Sequence, residues 1–62
     1  MGKTLGIKCF EYRVKHELNQ QEMAALCRVH WLTILHCEQE RPLRRMTAAK
    51  IAAVVGKDEK EA

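Results

Sequence analysis

The sequence predicts an all-α fold of four short helices, on three observations. Apolar residues recur at three- and four-residue spacing and nowhere alternate as in a half-buried strand. Residues that start and stop helices fall at short, regular intervals. A chain of 62 residues with three glycines and one proline buries only about 60% of the surface its unfolded form exposes, which allows a core one layer of side chains thick. A partner subunit would add to such a core.

Thr4, as N-cap, opens a first helix over about residues 4–16. The helical period puts Leu5, Cys9, Tyr12, Arg13 and His16 on one face and Ile7, Phe10 and Val14 together on the opposite one. A helix with a single neighbour would fill that second face with polar groups. Asn19, followed three residues later by Glu22, reads as a capping box and starts a second helix over about 20–27, with Met23, Ala24 and Cys27 inward. After a link of about three residues a third helix covers about 31–39, with Ile34 and Cys37 buried. Glu40-Arg41-Pro42 ends it, because the residue before a proline disfavours helical backbone. The fourth helix covers about 44–55, with Ala48, Ile51, Ala52 and Val55 inward. Gly56 stands just past its end, and a frayed polar tail is expected over 57–62.

Composition narrows the function classes. Apolar residues make up 47% and charged ones 31%, as in ordinary globular domains rather than disordered chains. The net charge of +3 is unevenly spread. Through residue 40 the cations Lys3, Lys8, Arg13, Lys15 and Arg28 are cancelled by Glu11, Glu17, Glu22, Glu38 and Glu40. Residues 41–57 carry Arg41, Arg44, Arg45, Lys50 and Lys57 with no acid, ahead of the acidic tail. A local basic block is the pattern of a phosphate contact rather than of a generally cationic coat.

Cys9, Cys27 and Cys37 are odd in number and lack CxxC spacing, so a disulfide framework or zinc ribbon is not expected. Cys27, His30, His36 and Cys37 form only a weak metal pattern, and reduced thiols acting as small core hydrophobes are the stronger reading. No metal or cofactor is assigned. No apolar run is longer than Ile51 to Val55, too short for a signal peptide or a membrane span, and a cytoplasmic chain without a membrane partner is expected. No nucleophile, base and orienting group fall together and no glycine-rich phosphate loop is present, so no enzyme is expected. His16, His30 and His36 read as a helix-end residue, a helix N-cap and a surface contact.

Two short helices joined by a short link, with one helix before and one after, is the layout of a helix-turn-helix. Leu18-Asn19-Gln20-Gln21-Glu22-Met23-Ala24, then Val29, Ile34 and Glu38, then Ile51-Ala52 and Val55-Gly56, resemble the phage repressor and Cro type of helix-turn-helix domain. The likeness spans roughly residues 5 to 56. It implies binding of double-stranded DNA by a small repressor-like transcription regulator of a bacterium, phage or mobile element, with helix 31–39 reading the major groove. In that family an arginine of helix one pairs with a glutamate at the end of the recognition helix, and Arg13 and Glu38 stand in those places. Outward positions of the third helix are then Trp31, Leu32, Thr33, Leu35 and His36, of which Trp31, Leu32, Thr33 and His36 are the base-contact candidates. Gln20, Gln39, Arg41, Arg44 and Arg45 are the matching phosphate-contact candidates. Arg28 stands where the family places glycine, and a left-handed backbone there costs a side chain about 1 kcal/mol, so a reshaped turn is expected.

Trp31, Leu32 and Leu35 admit three readings. They pack partly against neighbouring helices; or they meet thymine methyls while the arginines supply affinity; or they form a protein contact, with the fold reused as an interaction module. Family members often dimerise through a fifth helix, and the six residues after Gly56 leave no room for one. A homodimer through Ile7, Phe10 and Val14 is therefore expected, against the alternative that the acidic tail folds over that face.

Overall fold

A computed structural model describes residues 2–61, with side chains described over 2–57. Four helices follow in order: α1 over Leu5–Lys15, α2 over Gln20–Cys27, α3 over Trp31–Glu38 and α4 over Arg45–Glu61. Among the described residues all regular structure is helical. No helix is long and apolar enough to cross a membrane among them.

Each of the first three helices opens on a side chain that satisfies a free backbone N–H. Thr4 Oγ1 accepts from the N–H of Ile7 at 3.2 Å. Asn19 Oδ1 accepts from Glu22 at 2.7 Å while Glu22 Oε1 accepts from the N–H of Asn19 at 2.9 Å, a reciprocal capping box. His30 Nδ1 accepts from Leu32 at 3.2 Å.

The same three helices close in one way. Glu17, Arg28 and Glu40 have φ of 55°, 59° and 62°, and the residue after each donates its N–H to a carbonyl five residues back. The distances are 2.8 Å for Leu18 to Arg13, 3.0 Å for Val29 to Ala24 and 3.0 Å for Arg41 to His36. These are Schellman ends, each built on a residue other than glycine. The turn at Arg28 is therefore not reshaped, contrary to the sequence expectation. Two hydrogen bonds to otherwise unsatisfied carbonyls, together with Val29 packed on the core, outweigh the strain of one left-handed side chain. Glu40 likewise ends α3 two residues before Pro42, so the proline follows the break instead of causing it.

The fourth helix departs further from expectation. It begins at Arg45 and runs to Glu61, through Gly56 and most of the tail expected to fray; residue 62 lies outside the described residues. Gly56 has no positive φ, so it makes no left-handed stop, and the lysines and glutamates beyond it are good helix formers.

The core is one layer, built from Cys9 of α1, Met23, Ala24 and Cys27 of α2, Ile34 and Cys37 of α3, and Ile51 and Val55 of α4. Leu5, Tyr12, Leu18, Val29, Leu43 and Val54 pack at its edge. Two inward expectations fail: His16 and Ala52 are exposed. His16 caps α1 from outside the last turn, and Ala52 follows buried Ile51 by one residue, a step that turns a side chain about 100° around the helix. The helix α3 packs on both α1 and α2, and α4 packs on the same two helices. The crossing of α1 and α3 is close because of Gly6. A Cβ on Gly6 would collide with the carbonyl oxygen of Cys37 and lie 2.5 Å from Glu40 Oε2.

Candidate nucleic-acid interface

The centre of the arrangement is one carboxylate. Glu38, in the last turn of α3, accepts from Arg13 Nε at 2.8 Å and from Arg13 Nη2 at 3.0 Å, a bidentate pair whose side chains are only 17% and 11% exposed. Arg13 also donates to the carbonyl of Leu18 at 3.2 Å. Gln20 Nε2 of α2 reaches Glu38 Oε1 at 3.5 Å, and the Cys9 thiol donates toward Glu38 Oε2 at 3.9 Å. Side chains from α1 and α2 thus converge on the end of α3 and fix its axis. The hydrogen bond to Glu38 pushes the Arg13 guanidinium above its usual range, so this cation stays charged at every physiological pH.

Fixing α3 fixes what it presents. Ile34 and Cys37 point inward and are buried. Trp31 and Leu32 are each 40% exposed, and the His30 and Trp31 rings stack with centroids 6.1 Å apart. Thr33, Leu35 and His36, expected among the outward positions, are half-buried. A helix of eight residues packed on two neighbours has little of its circumference left open. Leu35 accordingly belongs to the packed flank, leaving Trp31 and Leu32 as the exposed apolar pair.

The phosphate-contact candidates fall into two groups. Gln39, Arg41, Arg44 and Arg45 are exposed, whereas Gln20 is half-buried with its amide turned to Glu38. The Arg44 carbonyl accepts from Ala48 at 2.9 Å, so Arg44 occupies the cap position of α4 and Arg45 its first turn, where no acidic residue stands. Cations at a helix N-terminus oppose the helix dipole. Arg44 and Arg45 thus add their charge to the positive end of that dipole.

Other groups singled out in the sequence lie elsewhere. Cys9, Cys27 and Cys37 are free thiols buried in the core. Burial pushes the Cys9 thiol up to about 12 and Cys27 to about 11, and raises Cys37 as well. Among the described residues no three His, Cys, Asp or Glu side chains are placed to hold a metal ion. Ile7, Phe10 and Val14 are 43%, 49% and 57% exposed, on the side of α1 away from Cys9. A shallow cleft of about 180 Å³ opens between Leu5, Gly6, Glu40 and Leu43, below the volume that ordinary small-molecule sites enclose. Three contributions escaped the sequence reading: the close approach at Gly6, the left-handed backbone at Glu17 and Glu40, and the contact of Thr4 Oγ1, which donates to Glu40 Oε2 at 2.7 Å. Of these, only the left-handed residues had a signal, the position of Glu17 and Glu40 just past an apolar stripe.

No protein family, curated protein or solved structure was found to match this chain.

Proposed function

We propose that this chain is a repressor-like helix-turn-helix module that binds duplex DNA and regulates transcription, with α3 in the major groove. The observation that carries the reading is a short, capped α3, locked by the Arg13–Glu38 pair, beside exposed Arg41, Arg44 and Arg45, the last two set against the dipole of α4. A charge placement that costs stability at a helix N-terminus fits a surface made for phosphate. In this reading Arg41, Arg44, Arg45 and Gln39 hold the DNA backbone, while Gln20, turned to Glu38, braces the end of α3. Trp31 and Leu32 meet thymine methyls, Thr33 packs beside them, and His36 donates to a base edge. Affinity is then mainly electrostatic, since phosphate contacts position the protein and base contacts specify the sequence.

A direct test measures binding to random duplex DNA and to a selected pool at two salt concentrations. Arg44→Ala weakens binding to all sequences and lowers the salt slope by about one, whereas His36→Ala changes the sequence preference. Equal loss on every sequence for both variants would refute that division of roles. A second reading, a protein contact through Trp31 and Leu32, draws on their 40% exposure at the N-terminal end of α3. Absence of DNA binding at low salt would put it first.

A further inference from the structure

The first turn of α3 is apolar where it is open. Trp31 and Leu32 occupy its first two positions and are each 40% exposed, while Thr33 and His36 are half-buried and Glu38 is held by Arg13. One imidazole holds both exposed residues. The His30 ring stacks on Trp31 with centroids 6.1 Å and planes 28° apart, and its Nδ1 accepts from the N–H of Leu32 at 3.2 Å. The indole ring and the backbone of Leu32 are therefore ordered before anything binds, which lowers the entropy lost on contact. Neighbours along a helix project about 100° apart, so the two side chains cover different positions of whatever lies against the turn.

The chemistry of this pair limits what it can distinguish. Base pairs differ in the major groove by their donor and acceptor pattern and by the C5-methyl group of thymine. Arginine, asparagine and glutamine read the pattern with two hydrogen bonds at once, whereas leucine has no polar side-chain atom and tryptophan a single donor. What the pair can sense is the methyl. Cytosine methylated at C5 carries the same group at the same ring position, on a base pair whose hydrogen-bonding edge is that of C·G. No acid stands in the first turn of α3, and exposed Arg41, Arg44 and Arg45 follow its far end, so the charge suits a polyanion rather than an apolar protein partner.

We propose that Trp31 and Leu32 read the C5-methyl group of a pyrimidine rather than the identity of the base pair, so that 5-methylcytosine is accepted wherever thymine is. The ligand is then duplex DNA sorted by its methyl groups, and methylation of cytosine creates a site where the unmethylated base is passed over. His30 is a positioning residue for Trp31. Each methyl covered by one of these side chains strengthens binding about fourfold, the effect of moving one such group out of water. This inference rests on the DNA-binding proposal and adds the feature of the DNA that α3 selects.

A duplex selected by the full chain from a random pool at low salt supplies the test. Each of its thymine positions is resynthesised in turn as T·A, U·A, 5-methylC·G or C·G, and binding is read by fluorescence anisotropy. At the positions under α3, thymine and 5-methylcytosine are expected to group together, about fourfold tighter than uracil and cytosine. Trp31→Ala and Leu32→Ala are each expected to close that gap at one position with an unchanged circular dichroism spectrum. His30→Asn keeps an acceptor for the Leu32 N–H but loses the ring, and is expected to narrow the gap at the Trp31 position alone. Equal gaps with and without the His30 ring overturn its positioning role. Thymine grouping with uracil at every position, or a gap that persists in both alanine variants, overturns the methyl reading and leaves DNA binding in place. A chain that retains no duplex at low salt overturns the DNA-binding proposal and this inference with it.

Discussion

Glu17, Arg28 and Glu40 show how single residues can hold conformations that their side chains disfavour. Each ends a helix in the left-handed region, where a Cβ costs about 1–2 kcal/mol, and each is held by the hydrogen bond of the residue that follows. Glu40 has a further role, since its carboxylate accepts from Thr4. Arg28 is exposed, so the strain there can be removed cleanly. Arg28→Gly relieves it but adds backbone freedom to the unfolded chain, and a net gain of about 0.5–1 kcal/mol is expected. For a domain of this size that is a rise of a few degrees in melting temperature. A lower midpoint would mean that the arginine side chain stabilises the turn through its own contacts. Arg13 and Glu38, which stand where the resemblance implies an ion pair, meet in the folded chain.

At the scale of elements, helix starts were more legible than helix ends. Thr4, Asn19 with Glu22, and His30 are capping side chains within three residues of the groups they satisfy, so local sequence is enough to read them. Ends depend on which backbone carbonyls stay unsatisfied once neighbouring helices are in place, and glycine proved a poor guide to them. Gly56, expected to stop α4, lies inside it, and a Cβ added there would meet nothing within 4 Å. Gly56→Ala is accordingly expected to stabilise the chain by about 0.5–1 kcal/mol, through lower backbone entropy in the unfolded state. Thermal melts followed by circular dichroism check this; a loss of stability would show that the helix needs glycine there.

At the scale of the molecule, size and core composition set two limits. The longest extent is 28 Å; on the DNA-binding proposal one copy therefore covers a single half-site, since half-sites lie about 34–36 Å apart. The core, in turn, holds three thiols, and that sets a pH limit. Cys9 and Cys27 are raised from 9.0 to about 12 and about 11 by burial, and Cys37 moves in the same direction. Above pH 9.0 the unfolded chain loses these protons while the folded chain keeps them, so stability falls as pH rises through that range and is unaffected by them below it. Urea midpoints under reductant should therefore be lower at about pH 10.5 than at about pH 8, with a shallower decline for Cys27→Ala. Equal midpoints for the wild type at both values would show that the thiols ionise without unfolding.

The sequence by itself determined the four helices, their caps, most of the core and the basic block between residues 41 and 57, because periodicity, capping and charge counts are properties of neighbours along the chain. Only the tertiary structure decided which outward positions of α3 stay open, that Gln20 turns toward Glu38, that α1 and α3 meet across Gly6, and that α4 continues past Gly56. Those outcomes depend on how closely helices distant in sequence approach one another. Exposure and close packing are set by that approach, and no local spacing of residues encodes it.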